Sequence, residues 1–364
     1  MVKNLMLIGF WHLEVLVNTK SVYVIMEVYM DINGLRDWYL INGKPSRIQL
    51  RKGNIKLPYG LSERCIEDLL PIIKASVNNK TDFEETSVSG KSEAKKKTKI
   101  ICSDFHIPFN DKEATRLFLK YLREIQPDEV IMNGNMNDCL AFSTHPTLRE
   151  IPNALRSAKK ERELWFDFAK ALRETVPKAK LIYIGSQCHE GRIDKWVSLS
   201  PILQEDDNYT IENWFKLKDY GIDFIPEAYD PINEIDVSDI SSIAREGTNL
   251  LVTHGTVCRS KSGISGMAEM EYNGVSTITG HVHRLSQVYK TTMKGTNVAI
   301  ECGCMCERRP WYYLKGKRRL LDWQQGFVVL SINEDKTFST RLVPILRKKD
   351  DSPFISLDDR TIEL

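Results

Sequence analysis

The chain has 364 residues, enough for one large domain and a smaller companion to bury a sizeable core. Hydrophobic residues make up 42% and charged residues 27%, the proportions of a globular protein, which excludes a chain disordered throughout. With 51 basic and 49 acidic residues the formal net charge is +2, so no basic excess advertises a nucleic-acid partner.

In chain order, the apolar run over residues 5–17 is broken by His12 and Glu14. It lacks the length of a membrane span and the cleavage site of a signal peptide, and reads as a strand or buried helix. Alternation in VYVIMEVYMDI and turn signals at Asn33-Gly34, Asn42-Gly43 and Pro58-Tyr59-Gly60 predict a few strands, followed by a helix over about 62–76. A small N-terminal α+β domain over 1–79, of unassigned role, is expected. Residues 80–97 hold Phe83, Val88 and Ala94 as their apolar residues, and their Ser, Gly, Lys and Glu content predicts a solvated linker.

After the linker a unit recurs: a short apolar run, a polar turn-forming cluster, then an amphipathic helix. The runs lie at 100–103, 130–132, 181–184, 250–253 and 275–278, and their continuous apolar character predicts strands covered on both faces. Ala114, Leu117, Phe118, Tyr121, Leu122 and Ile125 recur at helical spacing, and 153–175 predicts a longer helix. From 285 onward LSQVYKTT, TNVAIEC, GFVVLSI and TFSTRLV predict four antiparallel strands. The expected architecture is α/β, with sites gathered at the carboxyl ends of strands. Its bounds are 98–346, with a tail over 347–364. Eight cysteines in a chain of this size favour reduced thiols and a cytoplasmic location.

Five of the seven histidines, at 106, 189, 254, 281 and 283, fall within a few residues of the carboxyl end of a predicted strand. Asp104-Phe105-His106 places a hard oxygen and an imidazole on the same side of an extended segment. Gly134-Asn135-Met136-Asn137-Asp138 follows the second strand, Cys188-His189-Glu190 the third, His254-Gly255 the fourth, and Gly280-His281-Val282-His283 the fifth. Two imidazoles two residues apart after a glycine suit one metal cluster.

In that order the motifs resemble the Asp-x-His, Gly-Asp-x-x-Asp, Asn-His-Glu, His-Gly and Gly-His-x-His series of the calcineurin-like metallophosphoesterase superfamily. The stretch from His254 to Arg284, with the later Asp322-Trp323-Gln324-Gln325-Gly326-Phe327, is similar to the versions common in bacteriophages. Residues 1–95 lie outside the resemblance. It implies a sandwich of central mixed β-sheets layered with helices, a phosphate mono- or diester as substrate, and two divalent ions drawn from Mn, Zn or Fe. For a phage protein the location becomes the host cytoplasm, with no membrane partner.

Carried over by position, the resemblance implies that Asp104, His106 and His283 hold one metal and that His254 and His281 hold the second. It places the bridging ligand at Asn135 and a second-metal ligand at Cys188. His189 would serve the leaving group, oriented by Asp138, and Arg192 would contact a phosphate. Two positions depart from the pattern, since the family has aspartate where Asn135 stands and asparagine where Cys188 stands. Asn135 predicts a weakened metal pair. Cys188 offers a compensating thiolate in a sulfur and nitrogen site that favours zinc, with Gln187 the alternative occupant of that position.

Cys302, Cys304 and Cys306 read as buried thiols rather than a soft-metal site. The aromatic and basic residues over 308–319, including Trp311, Tyr312 and Tyr313, admit single-stranded nucleic acid as a partner. Two rivals therefore stand beside the phosphoesterase: a binding protein of the same fold that has abandoned catalysis, and a nuclease.

Overall fold

The computed structural model describes residues 96–143, 156–238, 248–308 and 321–364, together with the backbone of a hairpin formed by β1 (Glu14–Asn18) and β2 (Ser21–Ile25). The rest of the expected N-terminal domain, the linker up to residue 95 and the aromatic and basic stretch at 309–320 lie outside the described residues. The chain divides into two units, Met1–Lys91 and Ser92–Leu364.

The apolar runs of the second unit become strands at the expected places: β3 (Lys97–Cys102), β4 (Glu129–Asn133), β5 (Lys180–Ile184), β9 (Leu250–Thr253) and β10 (Ser276–Thr279). Short strands β6 (Ile222–Ile225), β7 (Ala228–Asp230) and β8 (Ile235–Asp236) lie between them. β11 (Leu285–Thr292), β12 (Gly295–Cys302), β13 (Gly326–Ile332) and β14 (Phe338–Pro344) are the four late strands. Two six-stranded mixed sheets result, in the orders β14-β13-β3-β4-β5-β6 and β11-β12-β10-β9-β7-β8. Their centres, β3 through β6 and β9-β10-β12, pair parallel; β11, β13 and β14 join antiparallel, so of the four strands expected to be antiparallel β12 is parallel to its inner neighbour β10.

Because strand side chains alternate, each central strand contributes to two cores. Ile101, Ile131 and Ile182 face Val252, Ile278 and Ile300 of the other sheet. Ile100, Val130 and Leu181 turn instead toward α1 (Lys112–Ile125) and α2 (Ala158–Thr175), meeting Leu117, Phe118, Trp165 and Leu172. Asp111 caps α1 by accepting from the Glu113 and Ala114 N–H groups at 3.1 and 3.0 Å. α3 (Gly191–Ser198) follows β5, and α4 (Ile264–Asn273) packs on β10 and β12. No helix among the described residues is long and apolar enough to cross a membrane.

The segment expected as a tail is folded. β15 (Leu346–Arg347), β16 (Pro353–Ser356) and β17 (Thr361–Glu363) form a three-stranded sheet that buries Ile355 and Ile362 in the core shared with α1. Lys120 Nζ donates to the Glu363 carbonyl at 2.5 Å, and Arg347 pairs with Asp111 at the start of α1. The flanking Asp350-Asp351 and Asp358-Asp359 pairs, which occupy turns, gave the segment the composition of a solvated tail.

Candidate metal centre

Parallel pairing brings the carboxyl ends of β3, β4 and β5 to one edge of their sheet, and those of β9 and β10 to one edge of theirs. Asn133, at the end of β4, joins the two edges: its amide donates to the Thr253 carbonyl at 3.0 Å, and its own carbonyl accepts from His254 Nδ1 at 2.8 Å. The side chains leaving these strand ends converge. Asp104, His106 and His283 present ligand atoms within 4.8 Å of one another, as do Cys188, His254 and His281.

In the first group Asp104 Oδ1 lies 3.2 Å from His283 Nε2 and 3.5 Å from His106 Nε2. The two imidazole Nε2 atoms stand only 3.0 Å apart. Asp104 is fully buried, and Ser103 Oγ and the His281 N–H donate to its Oδ2 at 2.6 and 2.9 Å. Burial would push this carboxyl up, but the charges of His283 and His254 outweigh it and hold it well below the usual range. In the second group Cys188 Sγ lies 3.6 Å from His281 Nδ1. Burial raises the thiol, yet the neighbouring imidazoles of His254 and His281 prevail and bring it down to about 5. Gln187 turns instead to Glu227, its Nε2 donating to Oε1 at 3.3 Å.

Several partners hold the imidazoles by their other nitrogens. His106 Nδ1 meets the Asp138 carboxylate at 3.1 Å, and His283 Nδ1 meets Cys306 Sγ at 3.5 Å. Such outer partners select the tautomer that presents a lone pair to a metal. The expected dyad is therefore divided. The Asp138 carboxylate stands 3.6 Å from His189 Nδ1 and serves His106 more closely, while the Asp138 main-chain carbonyl accepts from His189 Nδ1 at 2.9 Å. Arg192 Nη1 donates to that same carbonyl at 2.8 Å, so the arginine expected at a phosphate braces the Asp138 loop. Burial, followed by the charge of His106, keeps His189 well below the ordinary imidazole value.

The residues fit a divalent cation. His254 Nε2 is buried with no hydrogen-bond partner, although its Nδ1 is tied to a carbonyl. The facing Nε2 atoms of His106 and His283 likewise suit an ion between them better than each other. Backbone geometry is spent on this convergence: Asp104, His106, Asn135, His281 and His283 all have φ between +50° and +67°. Space is tight as well, since a Cβ at Gly280 would lie 2.1 Å from Ser103 Oγ and 2.8 Å from His254 Nδ1.

Sequence reasoning missed Glu190. Its fully buried carboxylate accepts from the Asn135 and Asn137 N–H groups at 3.1 and 3.2 Å and from Tyr183 OH at 2.5 Å, and it also meets Ser186 Oγ. It thus locks the loop bearing Asn135 to the loop bearing Cys188. Only its place beside His189 hinted at this. Cys302, Cys304 and Cys306 are buried as expected, but Cys304 and Cys306 also lie within 4.8 Å of His283. Trp323 packs its ring 4.1 Å from that of His283.

No protein-family model matches the chain. It is similar to the gene 54 protein of Mycobacterium phage L5, 26% identical over 255 residues that cover 68% of this chain and 93% of that protein. The gene 54 protein of Mycobacterium phage D29 is 26% identical over 266 residues, with the same shares covered. Among solved structures, Vps29 of Chaetomium thermophilum matches with a TM-score of 0.36 and 12% identity, covering 73% of this chain and 98% of that one. Vps29 of Cryptosporidium parvum gives 0.33 and 13%, covering 73% and 94%. Likeness at that level carries no argument about function.

Proposed function

We propose that this chain is a phage-type, calcineurin-like metallophosphoesterase that hydrolyses a phosphate mono- or diester in the host cytoplasm. The observation that carries the reading is the convergence of Asp104, His106, Cys188, His254, His281 and His283 on one edge to which both sheets contribute side chains, Cys188 and His281 half-buried and the others buried. Asp104, His106 and His283 would hold one cation and Cys188, His254 and His281 another. Divalent ions held there supply neutralisation of phosphoryl oxygens and activation of water.

The chain's own part is positioning and proton handling. The Asp138 carbonyl can only accept, so the proton of neutral His189 sits on Nδ1 and Nε2 is left free. To serve as acid toward the leaving oxygen, Nε2 would first take up a proton from water, an uptake that the low basicity imposed by burial opposes. Asp138 and Arg192 keep the ring in place beside His106, 4.4 Å between ring centroids.

The test is turnover of an aryl phosphate monoester and diester by chain loaded with manganese or with zinc. Metal-dependent hydrolysis is expected, falling about 100-fold or more in His189→Ala while metal content is kept. Absence of turnover on either ester in fully loaded protein would favour the second reading, a binding protein that retains the metal site; the missing carboxylate at Asn135 speaks for it.

A further inference from the structure

We infer that the centre is an unequal one: Cys188, His254 and His281 hold a zinc ion tightly, whereas Asp104, His106 and His283 form a weak, exchangeable position because Asn135 acts as a strut and not as a bridge. The inference rests on the metal site proposed above and says which ion it keeps.

The donor set comes first. Cys188 and His281 present Sγ and Nδ1 3.6 Å apart, close to the spacing of about 3.5 Å that zinc–sulfur and zinc–nitrogen bonds of about 2.3 and 2.0 Å impose at a tetrahedral ion. His254 is 3% exposed, and the Asn133 carbonyl engages its Nδ1, so Nε2, which has no hydrogen-bond partner, is the nitrogen left to meet a cation beside them. One thiolate, two imidazoles and an open fourth position make a set that zinc prefers to harder ions.

Asn135 supplies the second half. Its Nδ2 donates to Asp104 Oδ1 at 3.0 Å, while its Oδ1 faces Ser186 Oγ at 2.6 Å and Cys188 Sγ at 3.2 Å. An ionised Asp104 only accepts, so it dictates this amide orientation; the flipped amide would set oxygen against oxygen. A carboxylate at this position would offer lone pairs to both cations. The amide instead turns an N–H group toward the first position and occupies a lone pair of its single carboxylate. Asp104 is further committed to Ser103 and the His281 N–H through Oδ2, which leaves the first position short of anionic donors.

Full-length chain loaded with zinc and dialysed against metal-free buffer should retain about one zinc per molecule by mass spectrometry of metals. Asn135→Asp should retain about two. With cobalt(II) as probe, the first equivalent should show sulfur-to-cobalt charge-transfer absorption, kept in Asn135→Asp and lost in Cys188→Ala. Cys188→Asn, which restores a side-chain ligand of similar size, should bind cobalt without that absorption. Two zinc ions retained by the unaltered chain, cobalt bound without a sulfur band, or zinc kept undiminished by Cys188→Ala would each overturn the inference. None of these readouts depends on turnover, so a chain without phosphoesterase activity can still pass them.

Discussion

Gly280 illustrates how little room single residues have at this edge. Any side chain there meets Ser103 Oγ, His254 Nδ1 and Asp104 Oδ2, the last at 2.9 Å, and the contacts involve two of the proposed ligands. Gly280→Ala is therefore expected to lose most retained metal while keeping the far-UV circular dichroism of the parent; full metal retention would contradict the crowding. The histidines and Asp104 were legible because their types and spacing carry the chemistry with them. Glu190, Asn133 and Cys306 were not, since each acts through whatever stands opposite: main-chain N–H groups of 135 and 137, the Thr253 carbonyl, and His283. Asp138 shows the same limit, for a motif names the residue but does not say whether its carboxylate or its carbonyl meets His189.

Elements carry a second kind of constraint, visible in Glu161 on α2. Its carboxyl is 4% exposed and accepts from the Cys139 N–H at 2.8 Å, tying α2 to the loop after Asp138. Burial, reinforced by the charge of Asp138, pushes it up from 4.5 to about 8. Between those values the unfolded chain has released this proton and the folded chain has kept it. Its contribution to stability therefore falls as pH rises through the window, by about 1.4 kcal/mol per pH unit. Glu161→Gln keeps an oxygen for Cys139 and should match the parent near pH 4.5 but be more stable at pH 9, judged by urea unfolding; a difference independent of pH would refute this. The central strands and long helices of the second unit were legible because their apolar periods run for whole elements. The short helical turns over 201–220 were not, being four residues or fewer and held by clustered aromatics such as Trp196, Tyr209 and Trp214.

At the scale of the whole second unit, the C-terminal strands belong to the same core as the sheet that carries Asp104. Ile355 is fully buried against residues that also support α1. Ile355→Ala should cost about 2–5 kcal/mol in urea unfolding and leave the metal content of the folded protein unchanged. An unaltered unfolding midpoint would show that these strands are dispensable. Composition hid this role, because two isoleucines among aspartates do not resemble a strand pair until a hydrophobic surface is found beneath them.

Asn133 stitches the ends of β4 and β9, and the proposed ligands come from both sheets: Asp104, His106 and Cys188 from one, His254, His281 and His283 from the other. An ion bound there is a rivet through a seam. Parting the layers at that rim would break the proposed coordination sphere in a single motion, so the energy that captures such an ion would also clamp the two layers together, and stripping it would loosen the sandwich at that edge.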